Sequence, residues 1–104
     1  MATHDDEERT LSEWSRTLGQ ALQILDLELD HPRIAELAER SEAHVSPHAG
    51  AVSAFMVGYA AGSVTTEGRE QASAAVEKAV KTVLTVIAKD EETNEQAGWT
   101  GSAQ

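Results

Sequence analysis

The residues His44–Gly62, HVSPHAGAVSAFMVGYAAG, decide how this chain folds, because no acidic residue, lysine or arginine interrupts them. Ser46 precedes a proline and is pushed out of the helical region, so the chain breaks there. Ser46 is also a suitable cap and Pro47 suits a first turn, which predicts a helix starting at this point. Both sides of this helix are apolar. One side carries small residues, Gly50, Ala54, Gly58 and Ala61, and another carries large ones, Val52, Phe55, Met56 and Tyr59. Such a helix is typical of a buried segment or a membrane span.

The length of this helix favours burial in a protein over a membrane. Residues 49–64 would form about 24 Å of helix, which is shorter than the ~30 Å hydrocarbon core. The glycines lower its hydrophobicity, and its flanks are acidic. We therefore expect the buried central helix of a small domain.

A first helix is predicted from Thr10 to about Leu25 or Asp26. Thr10 and Glu13 have the spacing of a capping box. Apolar residues then recur at helical steps and form one stripe: Leu11, Trp14, Leu18, Ala21 and Leu25.

A second helix is predicted to begin at Asp30 or His31, with Pro32 in its first turn. Its expected inward side consists of Ile34, Leu37, Ala38, Ser41 and Val45. Glu36 and Arg40 have the spacing of an ion pair within one helix.

A fourth helix is predicted from a cap at Thr66 to about Lys89. Its apolar residues keep a helical period: Ala72, Ala75, Val76, Ala79, Val80, Val83 and Ile87. Glu77 and Lys81 have helical spacing, which argues against a strand in this β-branched segment.

Together these elements predict an all-α fold, a small four-helix up-and-down bundle at residues 10–89. The net charge is -10, of which residues 1–9 contribute -3 and residues 90–104 contribute -4. We expect these two ends to be acidic, flexible tails.

The composition excludes several classes of function. The chain has no cysteine and therefore no disulfide or thiolate chemistry. Its start does not resemble a signal peptide, which predicts a cytoplasmic protein. The acidic balance argues against nucleic-acid binding, and the short apolar helix argues against a membrane partner. Neither a cofactor nor a metal site is predicted.

Three residues form the best candidate for a ligand-binding corner. His44 and His48 are four residues apart, but Pro47 between them prevents a shared helix side, so capping and packing roles are favoured over metal ligation. Tyr59 is added because its hydroxyl is expected at the edge of the domain.

The small residues of the central helix are the candidate interaction face: Gly50, Ala54, Gly58 and Ala61. Their spacing permits close helix packing within the chain or self-association between copies. For catalysis, no carboxylate lies in an apolar segment and no nucleophile–base pair is evident.

The order of features resembles a small bacterial family called domain of unknown function 6457. The resemblance covers about residues 11–64 and rests on a tryptophan in the first helix, on LAERSEAHV, on Pro47 and on FMVGYAAG. The family's pattern usually has an arginine before the proline and a second proline further on, where this chain has Ser46 and Ala51. Members stand alone or follow a domain similar to the molybdenum-cofactor guanylyltransferase. The resemblance implies a link to molybdopterin cofactor assembly and assigns no catalytic residue.

The sequence thus predicts a non-catalytic interaction module, whose partner is another protein or a second copy of the chain. The alternative is small-ligand or metal binding around His44, His48 and Tyr59.

Overall fold

The computed structural model of the protein describes the backbone of residues 4–24 and 27–102. It describes side chains at 6–24 and 27–93. The four helices are α1 (His4–Ala21), α2 (His31–His44), α3 (Ala49–Gly62) and α4 (Gly68–Ser102). No strand occurs within the described ranges. The predicted all-α, four-helix fold is confirmed.

The core lies between α2, α3 and α4, which all pack against one another. Five apolar side chains are buried there: Leu37, Val57, Val80, Leu84 and Ile87. Ile34, Val76, Ala79 and Val83 pack around them. The predicted inward sides of α2 and α4 are therefore confirmed, except at Val45, which is 69% exposed just beyond α2. None of these core residues belongs to α1.

The start of α2 follows from its local sequence. The Asp30 carboxylate accepts a hydrogen bond from the Arg33 backbone N–H at 3.2 Å, and Pro32 occupies the first turn. Asp30 therefore satisfies one of the backbone donors that a helix start leaves unpaired. This part of the prediction is confirmed.

The predicted bounds of α1 are wrong at both ends. The helix already includes Thr10, whose hydroxyl donates to the Asp6 carbonyl at 2.9 Å, so Thr10 is not the cap. Acidic residues in the first turns favour the earlier start through the helix dipole. Beyond Ala21, Gln23 has a φ of +59°, and the Ile24 N–H donates to the Gly19 carbonyl at 2.8 Å. A left-handed residue of this kind, often a glycine, is a common way for a helix to end. The predicted last residues of the helix, Leu25 and Asp26, lie outside the described residues.

The predicted starts of α3 and α4 are also displaced. Ser46 is not the cap of α3, because its carbonyl accepts the Ala49 N–H in a turn and His48 is the residue before the helix. At α4, Gly68 has a φ of +80°, which delays the helix beyond Thr66. The Glu67 N–H is instead capped by the Gln71 side chain at 2.8 Å.

The predicted end of α4 at Lys89 is wrong, since the helix continues to Ser102. No glycine or proline interrupts residues 90–97. Two acids that were assigned to the tail pair with α2: Asp90 with His44 and Glu91 with Arg40. The four-helix unit therefore includes residues on both sides of the predicted 10–89 range.

The expectation that α3 is buried on all sides is wrong. Only Gly50 and Val57 are buried, and both lie on the side that faces α2 and α4. The opposite side is open, because the three-helix core offers α3 neighbours in one direction only.

Glycine substitutions in α3 test this one-sided packing. A Cβ on Gly50 would lie 3.0 Å from the Ala38 carbonyl oxygen, whereas one on Gly58 would meet nothing within 4 Å. Gly58→Ala should therefore raise the free energy of unfolding by up to about 1 kcal/mol. Gly50→Ala should lower the free energy of unfolding by about 1 kcal/mol. Alanine also favours the helix at this position, but the cost of overpacking against Ala38 is larger than that gain. Urea denaturation measures both, and equal effects would contradict the packing of α3.

Candidate interaction surface

The residues of the predicted ligand corner lie apart. His44 is largely buried, and its Nε2 donates to the Asp90 carboxylate at 2.6 Å, which ties α2 to α4. His48 is exposed beside the start of α3. Tyr59 follows eleven residues later on that helix, about 16 Å along its axis. Among the described side chains, no three histidines or carboxylates are arranged to hold a metal ion.

The predicted face of small residues mostly contacts its own chain. Gly50 is buried against Ala38 of α2. Ser53, beside it on α3, accepts a hydrogen bond from the Ser41 hydroxyl at 2.7 Å. Ala54 and Ala61 are half-buried, and only Gly58 is exposed. Gly50 is therefore unavailable to another molecule, and the close-packing interpretation describes its role.

The other side of α3 presents four large apolar residues to solvent. Their exposed fractions range from 61% to 72%, and together they form the α3 outer face: Val52, Phe55, Met56 and Tyr59. No charged residue occurs between Ala49 and Gly62. Contiguous exposed apolar patches of this kind mark binding surfaces, whereas single exposed apolar residues do not.

A second apolar surface lies on α1. Trp14, Leu18 and Leu22 recur at four-residue steps and are 58%, 38% and 64% exposed; they form the α1 stripe. The less exposed positions of α1 include Leu11 together with Glu8, Ser12 and Ser15. The most clearly amphipathic helix of the chain thus leaves much of its apolar side exposed, with Leu18 and Leu22 bordering an open cleft beside Glu8 and Ser15.

A polar contact explains this orientation of α1. The His31 ring, at the start of α2, lies between Glu8 and Ser15, with its Nδ1 2.8 Å from Glu8 Oε1 and its Nε2 2.8 Å from Ser15 Oγ. A carboxylate can only accept, so Nδ1 donates to Glu8 and a neutral ring accepts the Ser15 hydroxyl at Nε2. The contact fixes the Glu8–Ser15 side of α1 against α2. No local sequence pattern indicates this contact, because Ser15 and Glu8 precede His31 by 16 and 23 residues.

The order Ser15–His31–Glu8 is also that of a nucleophile, a base and an orienting acid. It lies beside a cleft of about 610 Å³ between α1 and residues 27–31. An acyl-transfer site also needs hydrogen-bond donors for the developing oxyanion, which free backbone N–H groups often supply. Ser15 lies in the middle of α1, where neighbouring N–H groups belong to the helix ladder, and Asp30 already caps the N–H of Arg33. The geometry therefore supports a structural contact.

Arg33 is the centre of a second contact between helices. Its guanidinium binds both carboxylate oxygens of Glu77 on α4, at 2.9 and 3.1 Å from Nε, and Glu36 at 2.8 Å from Nη1. The hydrogen bonds that Arg33 donates to Glu77 and then to Glu36 raise the pKa of Arg33 above its ordinary value. The predicted Glu36–Arg40 pair is wrong: Glu36 pairs with Arg33, and Arg40 with Glu91.

All three lysines of the chain lie on one side of α4. Lys78, Lys81 and Lys89 are exposed there with Thr82 and Thr85, on the side opposite the core. This stripe was not recognised in the sequence, although only uncharged residues separate the lysines along the chain. Three lysines in a chain of net charge -10 are too few to favour binding to a polyanion.

The fold and these surfaces define a small all-α protein with two exposed apolar helix faces. The chain belongs to the family described as Domain of unknown function (DUF6457), whose model matches residues 6–95. The match extends the resemblance from residues 11–64 to α1 and most of α4. No curated protein and no solved structure matches the chain. Within the described residues, no helix has the length and apolarity needed to cross a membrane.

Removal of the Ser15 hydroxyl tests the contact that holds α1. Ser15→Ala should speed amide hydrogen exchange in α1 about fivefold relative to Thr17→Ala, because a half-buried hydrogen bond contributes about 1 kcal/mol. Thr17 is the matched control, since its hydroxyl bonds only to Glu13 of the same helix. Mass spectrometry would locate the change. Equal exchange rates in the two variants would contradict a docking role for Ser15.

Proposed function

We propose that this protein is a non-catalytic interaction module that binds another protein chain through the α3 outer face. The observation that carries the proposal is the exposure of Val52, Phe55, Met56 and Tyr59 on one uncharged helix side. Aromatic residues and methionine are enriched in the centres of protein interfaces. A second apolar surface, the α1 stripe, adds Trp14, and tryptophan is one of the residue types enriched among binding hot spots.

The proposal specifies a protein partner. Anionic membrane surfaces and nucleic acids would be repelled by a net charge of -10. An α-helical face of four large apolar residues suits a partner helix, which can pack its own ridges into the grooves between them. A cytoplasmic location is part of the same proposal.

A role next to molybdopterin cofactor assembly is a further part of the proposal. It is supported by the resemblance to proteins in which this domain follows a guanylyltransferase-like domain. In that context the module would act beside such a nucleotidyltransferase.

Site-specific photo-crosslinking tests the interaction surface. With p-benzoylphenylalanine at position 59, irradiation in cells should join the chain to another protein chain, since Tyr59 is 71% exposed within the α3 outer face. The same group at the exposed position Glu39 of α2 is the control. Mass spectrometry identifies the adduct, and repetition with a purified guanylyltransferase-like domain tests the cofactor context.

The proposal requires crosslinking at position 59 well above that at position 39. Equal or absent crosslinking at the two positions would overturn it. An adduct that lacks the guanylyltransferase-like domain would remove only the cofactor context.

The non-catalytic part of the proposal has its own test. Wild type and Ser15→Ala should hydrolyse p-nitrophenyl acetate at the same slow rate, because the backbone N–H groups around Ser15 are already paired within the helix and are not free to bind an oxyanion. Rapid-mixing absorbance measurements follow the nitrophenolate. A burst of about one nitrophenolate per chain in the wild type alone would show that Ser15 is a nucleophile and contradict this part.

A further inference from the structure

We infer that the partner of the α3 outer face is the α1 stripe of a second copy of this chain, and that the two copies exchange this contact reciprocally. The inference rests on the proposed function and names the partner. In the resulting dimer, Trp14, Leu18 and Leu22 of each copy pack on Phe55, Met56 and Tyr59 of the other.

The two surfaces do not cover each other within one chain. His31 fixes the Glu8–Ser15 side of α1 against α2, and the α1 stripe lies beside that side, where Leu18 and Leu22 border the open cleft next to residues 27–31. The α3 outer face lies opposite Gly50 and Val57, which contact the core. Both surfaces remain exposed in the single chain, and Trp14 and Tyr59 are 58% and 71% accessible. A second copy brings the missing surface to each of them.

The two surfaces match in chemistry and in shape. Neither contains a charged residue among its seven large side chains, so their contact would bury no unpaired charge. Both are helical surfaces with residues spaced by three and four, which is the spacing that packs ridges into grooves. The net charge of -10 resides elsewhere on each copy.

The exposed area suits a stable dimer. At about 200 Å² for a fully exposed large side chain, the exposed fractions of the seven residues amount to roughly 850 Å² per copy. A standard interface takes about 800 Å² from each partner. One surface alone supplies too little, whereas both surfaces used reciprocally reach this size.

Reciprocity follows from closed two-fold symmetry. In such a dimer, a residue that contacts a second residue in the partner is matched by the converse contact. Each dimer therefore contains two identical α1–α3 contacts. A defect in either surface of the chain affects both contacts when the two copies are the same.

Complementary charged substitutions test this arrangement with the full chain. Trp14→Glu and Phe55→Lys replace exposed residues, one on each surface, and should leave the helical circular dichroism unchanged. Sedimentation velocity should show a dimer for the wild type and monomers for each variant alone. An equimolar mixture should form dimers again, because one contact is then native and the other places Glu opposite Lys.

Two further variants control for the added charge. Thr17→Glu places a charge on another side of α1, and Val86→Lys replaces an apolar residue of α4 that is 60% exposed. Both should remain dimeric. Dimers that persist in Trp14→Glu, or a mixture of the two interface variants that stays monomeric, would overturn the α1–α3 contact.

A monomeric wild type would overturn the inference. The crosslinking result at position 59 then decides whether the proposed function stands or fails. If position 59 still crosslinks to a different protein, the interaction module stands with another partner. If position 59 gives no adduct, or if the monomer co-sediments with phosphatidylcholine vesicles through Phe55, the proposed function fails as well.

Discussion

The close contact between Gly50 of α3 and Ala38 of α2 determines which side of α3 faces the core. A Cβ on Gly50 would crowd the Glu42 side chain and would lie 3.0 Å from the Ala38 carbonyl oxygen, so the absence of a side chain at Gly50 favours this close approach. The approach brings Ser41 and Ser53 within hydrogen-bonding distance and places Val57 beside Leu37 in the core. The small residues of α3 face α2 in this contact. The large side chains on the other side of α3 therefore point away from the rest of the chain. The exposed aromatic face of α3 is thus a consequence of how its packed side is built.

The attachment of α1 follows a different physical rule from that of the other helices. Leu37, Val57 and Val80 join α2, α3 and α4 by apolar burial. The contact between α1 and α2 depends instead on a histidine between a carboxylate and a hydroxyl. Hydrogen bonds of this kind contribute little net free energy but impose strict geometry. They therefore orient α1 without burying its apolar stripe, and the stripe remains available for another surface.

Local signals predicted those parts of the fold that local chemistry determines. Asp30 and Pro32 marked the start of α2, and helical periodicity identified Leu37, Val80 and Ile87 as inward-facing. Periodicity gives the sides of a helix but not the number of neighbours around it, which is why α3 was expected to be buried. The ion pairs were misassigned for a related reason: Arg33 and Arg40 reach carboxylates on α4 that are 44 and 51 residues away. Of the candidate site residues, Tyr59 lies on the α3 outer face, whereas His44 belongs to the α2–α4 contact.

The acidic charge of the chain acts differently within one copy and between copies. Inside the chain, Glu77, Asp90 and Glu91 of α4 pair with Arg33, His44 and Arg40 of α2, so these acids stabilise the long helix against its neighbour. Between two copies of net charge -10, the unpaired acids repel. An association of such copies must therefore rely on uncharged contact area rather than on ion pairs. The α1 stripe and the α3 outer face provide large apolar side chains without any charge among them. This separation of charge from apolar area is the physical reason for assigning recognition to α1 and α3, and structural support to α2 and α4.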